Sequence, residues 1–598
     1  MSVKRNKKKR KQKRKFKLWV KLLFIVLVVL GILVFGYFGM SDTSIPVLRI
    51  KEKTMFLASD TNEVSLYQKV KDEDEGKIVL VFEKKVFRGS KVKVLDDLLT
   101  YEDKKYQSIK IDNEEYYVLA CDLVEKKKEV VLEKHVYIRS ATSMLEDINT
   151  SKIVGLSRKG DDWEVLDHDE LGDDGVVHVY KVRNNDIEGY VYGKYVTYDR
   201  DSSYKNYQED VYNPIHEKIS NSYDGGDAIK LDFYPNEKPS FDDNKMPDAV
   251  YALYLNSGSN VIQNIDEYIE FAKDTNINAF VVDIKDNETP AYPAQTFQSL
   301  SPTNYDKAIN SYESYKNAIS KLKDNGFYVI GRITTFKDSY YVKDHPEDAI
   351  LDKTTGSPYL HNGSYWPSAY NRNVWYYTLS LAKEAVREFG FNEINFDYVR
   401  FPDRMNSVAS RLDLKNVYDE DKAEAIQRFV QYVNDGLHED HVYVSIDVFG
   451  ESTNGTYTTA YGQYWPAISN VADVISGMPY PDHFSDGYYG ITKPWNHPYL
   501  LMKYWGSYAV DRQKECPTPA RVRTWIQAYD VMKYVDSNGI SYGSKEVEEE
   551  IRGLYDAGLM DGYITWLSNS NLNKYKVQKG AFQIDYRKEY MDAKNNSE

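Results

Sequence analysis

The rhythm of hydrophobic and polar positions changes three times along the chain. Leu22 to Met40 form 19 residues without a charge, about the length that carries a helix across the hydrocarbon core of a bilayer. From about 54 to 198 the apolar positions fall in short runs between turn residues, with no helical period of useful length. This stretch also repeats. "KVKVL" (91–95), "YQSIKI" (106–111) and "YYVLACDLV" (116–124) return as "WEVL" (163–166), "VYKVRN" (179–184) and "GYVYGKYV" (189–196), at a period of roughly 70 residues. Two small β-barrels are expected, over 54–125 and 129–198. Residues 199–245 then lose periodicity and fill with Asp, Asn, Ser, Tyr, Gly and Pro, which reads as a linker with part free to pack on the next domain.

After Met246, strand-like runs alternate with helical ones. The runs are "AVYALYL" (249–255), "AFVVDIKD" (279–286), "FYVIGRIT" (327–334), "EINFDYVRF" (393–401), "VYVSIDVF" (442–449), "DVISGMPY" (473–480), "RTWIQAY" (523–529) and "GYITWLS" (562–568). Segments such as 373–390 and 422–437 carry the helical period between them. Eight strands alternating with helices predict a (β/α)8 TIM barrel over 246–590. A doubly wound sheet is the rival, but no Gly-rich phosphate loop follows any strand. The expected class is therefore α/β, a TIM barrel preceded by two all-β barrels and one N-terminal transmembrane helix.

Charge and cysteine content narrow the partners. The first 21 residues hold 12 Lys or Arg and no acid. Basic flanks stay cytoplasmic, so the bulk of the chain is expected outside the cell on an uncleaved anchor. A cleaved signal peptide is the closest rival, but "GYFGMSDTS" offers no small-x-small cleavage site. Setting the 12 bases aside leaves 65 basic against 91 acidic residues, a net charge of −26 on the outer part. Such a surface repels phosphate polymers and argues against a nucleic-acid partner. Two cysteines, Cys121 and Cys516, exclude a disulfide framework and a Cys-based zinc site.

In a TIM barrel the reactive groups stand on inward-facing positions at the C-terminal ends of strands. Parity puts Asp283 and Lys285 on one side of the second run and Arg332 inward on the third. On the fourth, Asn395 and Asp397 face the mouth while Ile394 and Phe396 face the helices. The fifth offers Ser445 and Asp447, with Glu451 just beyond it. Trp525 and Gln527 share a side of the seventh run, and Trp566 ends the eighth. Two carboxylates on adjacent strands, Asp397 and Asp447, suit glycosidic cleavage, in which one attacks and the other protonates the leaving oxygen. Arg400 and Lys285 are the cations expected to hold Asp397 ionised. Structural alternatives stand beside each: a strand-end Asp also caps helices, and the two cations also suit ion pairs with Asp283 or Asp403. Trp525 and Trp566 either stack on sugar faces or fill the core. Tyr480 and His483, in "MPYPDHF" after the sixth run, are expected sugar ligands. No His-x-x-x-His spacing supports a metal there, and no cofactor is required.

"VVDIKD", "FDYVRFP", "SIDVFG", "MPYPDHF" and "WIQAY", in this order, resemble the family of barrel proteins named for its glycosyl-hydrolase-like domain, over roughly residues 246–575. The resemblance implies a TIM barrel related to the α-amylase-like clans, with the fourth-strand Asp, here Asp397, as nucleophile. It leaves the acid/base open between Asp447 and Glu451. "GDDWEVL" followed by "VYKVRNNDIEGYVYGKYV" resembles bacterial Src-homology-3-like domains, which implies either wall binding or a spacer role. The combined expectation is a membrane-anchored extracellular glycoside hydrolase acting on a cell-surface or cell-wall polysaccharide, by a two-carboxylate retaining mechanism. The alternative from another class is a catalytically silent barrel that binds wall glycan as a scaffold.

Overall fold

The structure, a computed structural model, describes residues 53–595 apart from 73–76, 185–186, 222–223 and 455–459. The basic tail and the anchor expected over 1–21 and 22–40 lie outside the described residues. Among the described residues no helix is long and apolar enough to cross a membrane.

The chain divides into two compact units, and the smaller one runs through Val130, save 59–63 and 87–89. Its strands are β1 (Lys53–Leu57), β2 (Glu63–Lys71), β3 (Ile78–Phe87), β4 (Lys91–Tyr101), β5 (Lys104–Ile111), β6 (Glu114–Leu119) and β7 (Leu123–Val124), in the order β3-β2-β6-β5-β4-β1-β7. The larger unit opens with β8 (His135–Ile138), β9 (Thr142–Leu145), β10 (Ile153–Ser157), β11 (Asp162–His168), β12 (Val179–Asn184), β13 (Ile187–Tyr192) and β14 (Val196–Thr197). Their order, β10-β9-β13-β12-β11-β8-β14, is the first order with every number raised by seven. The sequence repeat is therefore a repeat of topology. Each sheet closes on its own apolar set, Leu57, Leu66, Ile109 and Val118 in the first, Val136, Trp163, Tyr180 and Val191 in the second.

The rest of the larger unit is a ring of parallel strands: Val250–Leu255, Ala279–Asp286, Tyr328–Thr334, Glu393–Asp397, Tyr443–Phe449, Val474–Met478, a seventh in two pieces, and Gly562–Trp566. Arg521–Val522 pairs with the sixth strand and Thr524–Gln527 with the eighth, while the first pairs with both the second and the eighth. The seventh strand thus closes the ring across Arg523, whose amide still donates to the Ile475 carbonyl. Period two explains the layers. On the fourth strand Ile394 and Phe396 meet the helices, Phe396 against Phe429 of helix Lys422–His438 at 5.9 Å, and the alternate residues turn inward.

The second sheet is fastened to this barrel. The Tyr195 hydroxyl donates to both carboxylate oxygens of Asp435 at 3.0 and 2.9 Å, Lys194 pairs with the same carboxylate at 2.5 Å, and the Tyr432 hydroxyl donates to the Ser151 carbonyl at 2.7 Å. The stretch expected as a linker also packs: Ala228, Leu231 and Phe233 join Ala423, Tyr464 and Cys516 in one buried cluster. His216 lies flat on Phe233 at 3.7 Å. Burial of so many side chains on barrel helices gives this segment a fixed path despite its polar composition.

Candidate active site

Three carboxylates converge on one guanidinium at the C-terminal end of the ring. Arg332, 1% exposed, donates through one terminal nitrogen to Asp283 at 2.7 Å and Asp286 at 3.3 Å, and through the other to Asp397 at 2.5 Å. Tyr254 donates its hydroxyl to Asp283 at 2.5 Å, and Thr334 donates to Asp286 at 2.8 Å. Burial pushes Asp283 up to about 6, with Arg332 pulling the other way. Burial would raise Asp286 too, but there Arg332 and the Thr334 hydroxyl win and leave it below its ordinary value.

Lys285 is absent from this cluster. The pairing of the second and third strands shifts register between Asp283 and Lys285, so strict alternation fails at that point. Asp286 takes the inward place, and Lys285 instead pairs with Asp338 at 3.0 Å, where Tyr377 and Asn304 also donate. The cation on Asp397 is Arg332. That corrects the expectation for Lys285, whereas Arg400 makes no direct contact with Asp397 but stays within reach of its charge.

The register of the fourth and fifth strands runs through Phe396 opposite Ile446, so the next position on each is Asp397 and Asp447. Asp447 is 1% exposed. Its Oδ1 accepts from Asn395 at 2.8 Å and from the Trp525 indole at 2.7 Å, and its Oδ2 has no hydrogen-bond partner among the described residues. Burial, and after it the charge of Asp397, push the Asp447 carboxyl well above the usual carboxylate range. One oxygen without a donor and a raised affinity for protons describe a neutral acid beside a carboxylate that Arg332 compensates.

Directly after Asp397 the backbone turns through Tyr398 at φ 53°, a conformation that costs a bulky residue on the order of 1–3 kcal/mol. The Asp397 Oδ1 accepts the Tyr398 amide at 2.6 Å and holds that turn. Its consequence is the position of Arg400, whose guanidinium carbon lies 4.2 Å from the centre of the Phe449 ring and 5.1 Å from those of Trp366 and Tyr398. The motif "FDYVRFP" thus sets a carboxylate, a strained turn and a caged arginine in seven residues.

The remaining expected residues line the mouth at different depths. Trp525 and Gln527 are buried, Gln527 accepting from the Asp482 amide at 3.3 Å. Tyr480 is buried against His483, ring centres 5.2 Å apart, and His483 is exposed. Trp566 is half-buried and packs 4.6 Å from Tyr254. Glu451 is exposed and accepts the Tyr461 hydroxyl at 2.8 Å. It lines a cleft of about 660 Å³ with Asp403, Phe449, Tyr461, His483 and Tyr488. Sequence reasoning missed Asp286, hidden by the register shift, and Tyr254, which reads as an ordinary strand tyrosine. It also missed Trp366 and Tyr461, which come from loops with no period to place them.

Residues 249–575 match a family model described as "Putative glycosyl hydrolase domain". Among solved structures, the chain is similar to a hypothetical protein from Ruminiclostridium thermocellum at 30% identity and TM-score 0.27, covering 33% of this chain and 97% of that one. It is similar to the PgaB (BpsB) glycoside hydrolase domain from Bordetella bronchiseptica at 11% identity and TM-score 0.41, covering 57% and 100%. For a class V chitinase from Pseudomonas fluorescens the identity is 13% and the TM-score 0.36, covering 56% and 100%. No curated protein matches the chain.

Proposed function

The chain belongs to the family described by that glycosyl hydrolase domain, and from this membership we propose that it cleaves a cell-surface polysaccharide by a two-carboxylate, retaining mechanism. Asp397 is the nucleophile and Asp447 the acid/base. The observation that carries the assignment is the split between neighbours: Arg332 compensates Asp397, whereas Asp447 is buried, half-unpartnered and raised toward its neutral form. In the first step the Asp397 carboxylate attacks the anomeric carbon while Asp447 gives its proton to the departing oxygen. In the second, Asp447 takes a proton from water, which displaces Asp397 from the sugar. Neighbouring strands lie about 4.8 Å apart, a spacing that suits the roughly 5–5.5 Å of retention better than the wider gap of inversion.

Glu451 supports a second assignment, because it stands in the open cleft whereas Asp447 is all but covered. A catalytically silent scaffold that binds glycan is the alternative, and the limited access to buried Asp447 is the observation that keeps it. The anchor, with an N-terminus in the cytoplasm and the barrel outside, rests on the charge pattern of residues 1–40. Wall binding by the two β-modules belongs to the same reading.

The test is the full-length chain on purified surface polysaccharides, with new reducing ends and anomeric configuration as readouts. Retention with the parent protein and loss of turnover in Asp397→Asn, with glycan binding intact, are expected. Glycan binding without cleavage by the parent establishes the scaffold, and cleavage by Asp397→Asn at the parental rate removes the proposed site.

A further inference from the structure

Three donors around the Tyr398 ring have more hydrogen-bonding capacity than partners. The Lys337 ammonium lies 4.9 Å from the ring centre and makes no hydrogen bond or ion pair among the described residues. Arg400 sits 5.1 Å from the same centre, and its one carboxylate contact is a long 3.5 Å to Asp403. Trp366 packs edge-on to that ring at 5.7 Å, 3% exposed, and its indole N–H has no acceptor among the described residues. A buried donor left unmet costs about 1–3 kcal/mol. Of the three only the Trp366 N–H is such a donor. Lys337 and Arg400, whose guanidinium also donates to the Phe401 carbonyl at 3.1 Å, add two cations with donors to spare at the same point, and together they offer a place for an acceptor from outside.

Lys337 and Arg400 are held in place by the backbone that presents Asp397. Beyond the strands, the Thr335 amide donates to the Asp397 carbonyl at 2.9 Å and the Phe336 amide to that of Tyr398 at 3.3 Å. Lys337 comes next, between buried Phe336 and Asp338. The carboxylates facing Lys337 are Asp286, Asp397 and the exposed Glu288; Arg332 already takes Asp286 and Asp397, and Asp403 lies between Arg400 and Arg404. His361, 3.9 Å from Asp403, is pushed down by burial and adds a neutral ring. The overall negative charge of the chain is spread over its surface, and a Debye length of about 8 Å confines its influence on a partly enclosed pocket. Local partner accounting decides the ligand.

We propose that Lys337, Arg400 and the Trp366 N–H form a subsite for an anionic substituent, carboxylate or phosphate, on the sugar bound beside Asp397. The substrate class is then an acidic polysaccharide. Arg400 offers the planar fork that matches either anion, and Lys337 the point charge. This inference rests on the glycoside hydrolase reading of the mouth, but binding alone tests it.

The experiment is calorimetric titration of the full-length protein at low salt with glucuronic acid, N-acetylmuramic acid and glucose 6-phosphate, against neutral glucose and N-acetylglucosamine. Anionic sugars are expected to bind at least tenfold tighter than their neutral parents, with carboxylate or phosphate preference read from the separate arms. Lys337→Gln should lose about tenfold for the anions and nothing for the neutral sugars, at unchanged Tm. Arg400→Lys keeps the charge and should still weaken both anions. Equal affinity for charged and neutral sugars, or an unaltered preference in Lys337→Gln, overturns the subsite. Anion preference without any polysaccharide cleavage leaves it standing and removes only the hydrolase.

Discussion

Two arginines lie wholly inside the barrel, and they keep different company. Arg523, at the N-terminal side of the ring, meets a single carboxylate, Glu393, at 2.7 Å, with Tyr328 donating to the same group at 3.1 Å. Arg332, at the C-terminal side, meets Asp283, Asp286 and Asp397. One charge against one is a closed structural pair. One against three leaves Arg332 shared, so it only partly offsets the burial that raises Asp283 to about 6, and the neighbouring Asp286 adds to that rise. Burial, and after it the charge of Asp397, keeps Asp447 high as well. Parallel barrels place chemistry at the C-terminal face and stability at the other, and here the charge count alone tells the two ends apart.

The comparison is broken most severely at Asp447. Asp447→Asn should cut kcat by about 10²–10⁴-fold, the usual worth of a general acid, and should abolish the alkaline limb of the pH–rate profile. A limb that survives in Asp447→Asn, but is lost in Glu451→Gln, transfers the role to Glu451. At the other end, Glu393→Gln strands Arg523 as an unpaired buried charge and should cost about 3–5 kcal/mol of stability, read by denaturant unfolding. Glu393→Leu with Arg523→Met should recover most of that loss. Neither change should move the pH profile; a shift there would show that the two ends are coupled.

Asp283 sharpens the contrast through pH. Its folded-state value is raised from 3.8 to about 6, so the stability linked to its proton is full below the unfolded value and is lost as pH rises through 6. Between pH 5 and 7 the loss is about 1 kcal/mol from the shift alone. Asp283→Asn should remove that dependence, leaving a smaller drop in Tm over the same interval. An identical drop in both proteins would mean that Arg332 fully offsets the burial of Asp283 after all.

How much of this was visible in the sequence depends on what sets each feature. The eight strands and the inward turn of Asp397 came from period two, because inner and outer faces of a barrel strand are filled by different residue types. Lys285 misled for the same reason: alternation holds only while the register does, and a shift of one residue exchanged it for Asp286. The positive φ of Tyr398 has no sequence signal, since residues that need the left-handed region are ordinarily glycine or asparagine. Trp366 and Lys337 reach Tyr398 from loops, where three-dimensional proximity is set by the path of the chain and no periodicity reports it. The path of residues 199–245 was equally hidden, because polar composition is compatible with both a free linker and a packed strap.

The smallest expected effect tests the cause of the Asp447 shift. The Trp525 indole donates to Oδ1 at 2.7 Å, and a donor favours the carboxylate over the acid, so this bond lowers an affinity for protons that burial and Asp397 raise. Trp525→Phe keeps an apolar ring and removes the donor. Asp447 should then hold its proton to still higher pH, moving the alkaline limb upward by a small amount. A general loosening of the barrel would act oppositely, because water admitted to the site stabilises the charged form and brings the limb down. The direction of a small shift therefore separates a lost hydrogen bond from a lost enclosure.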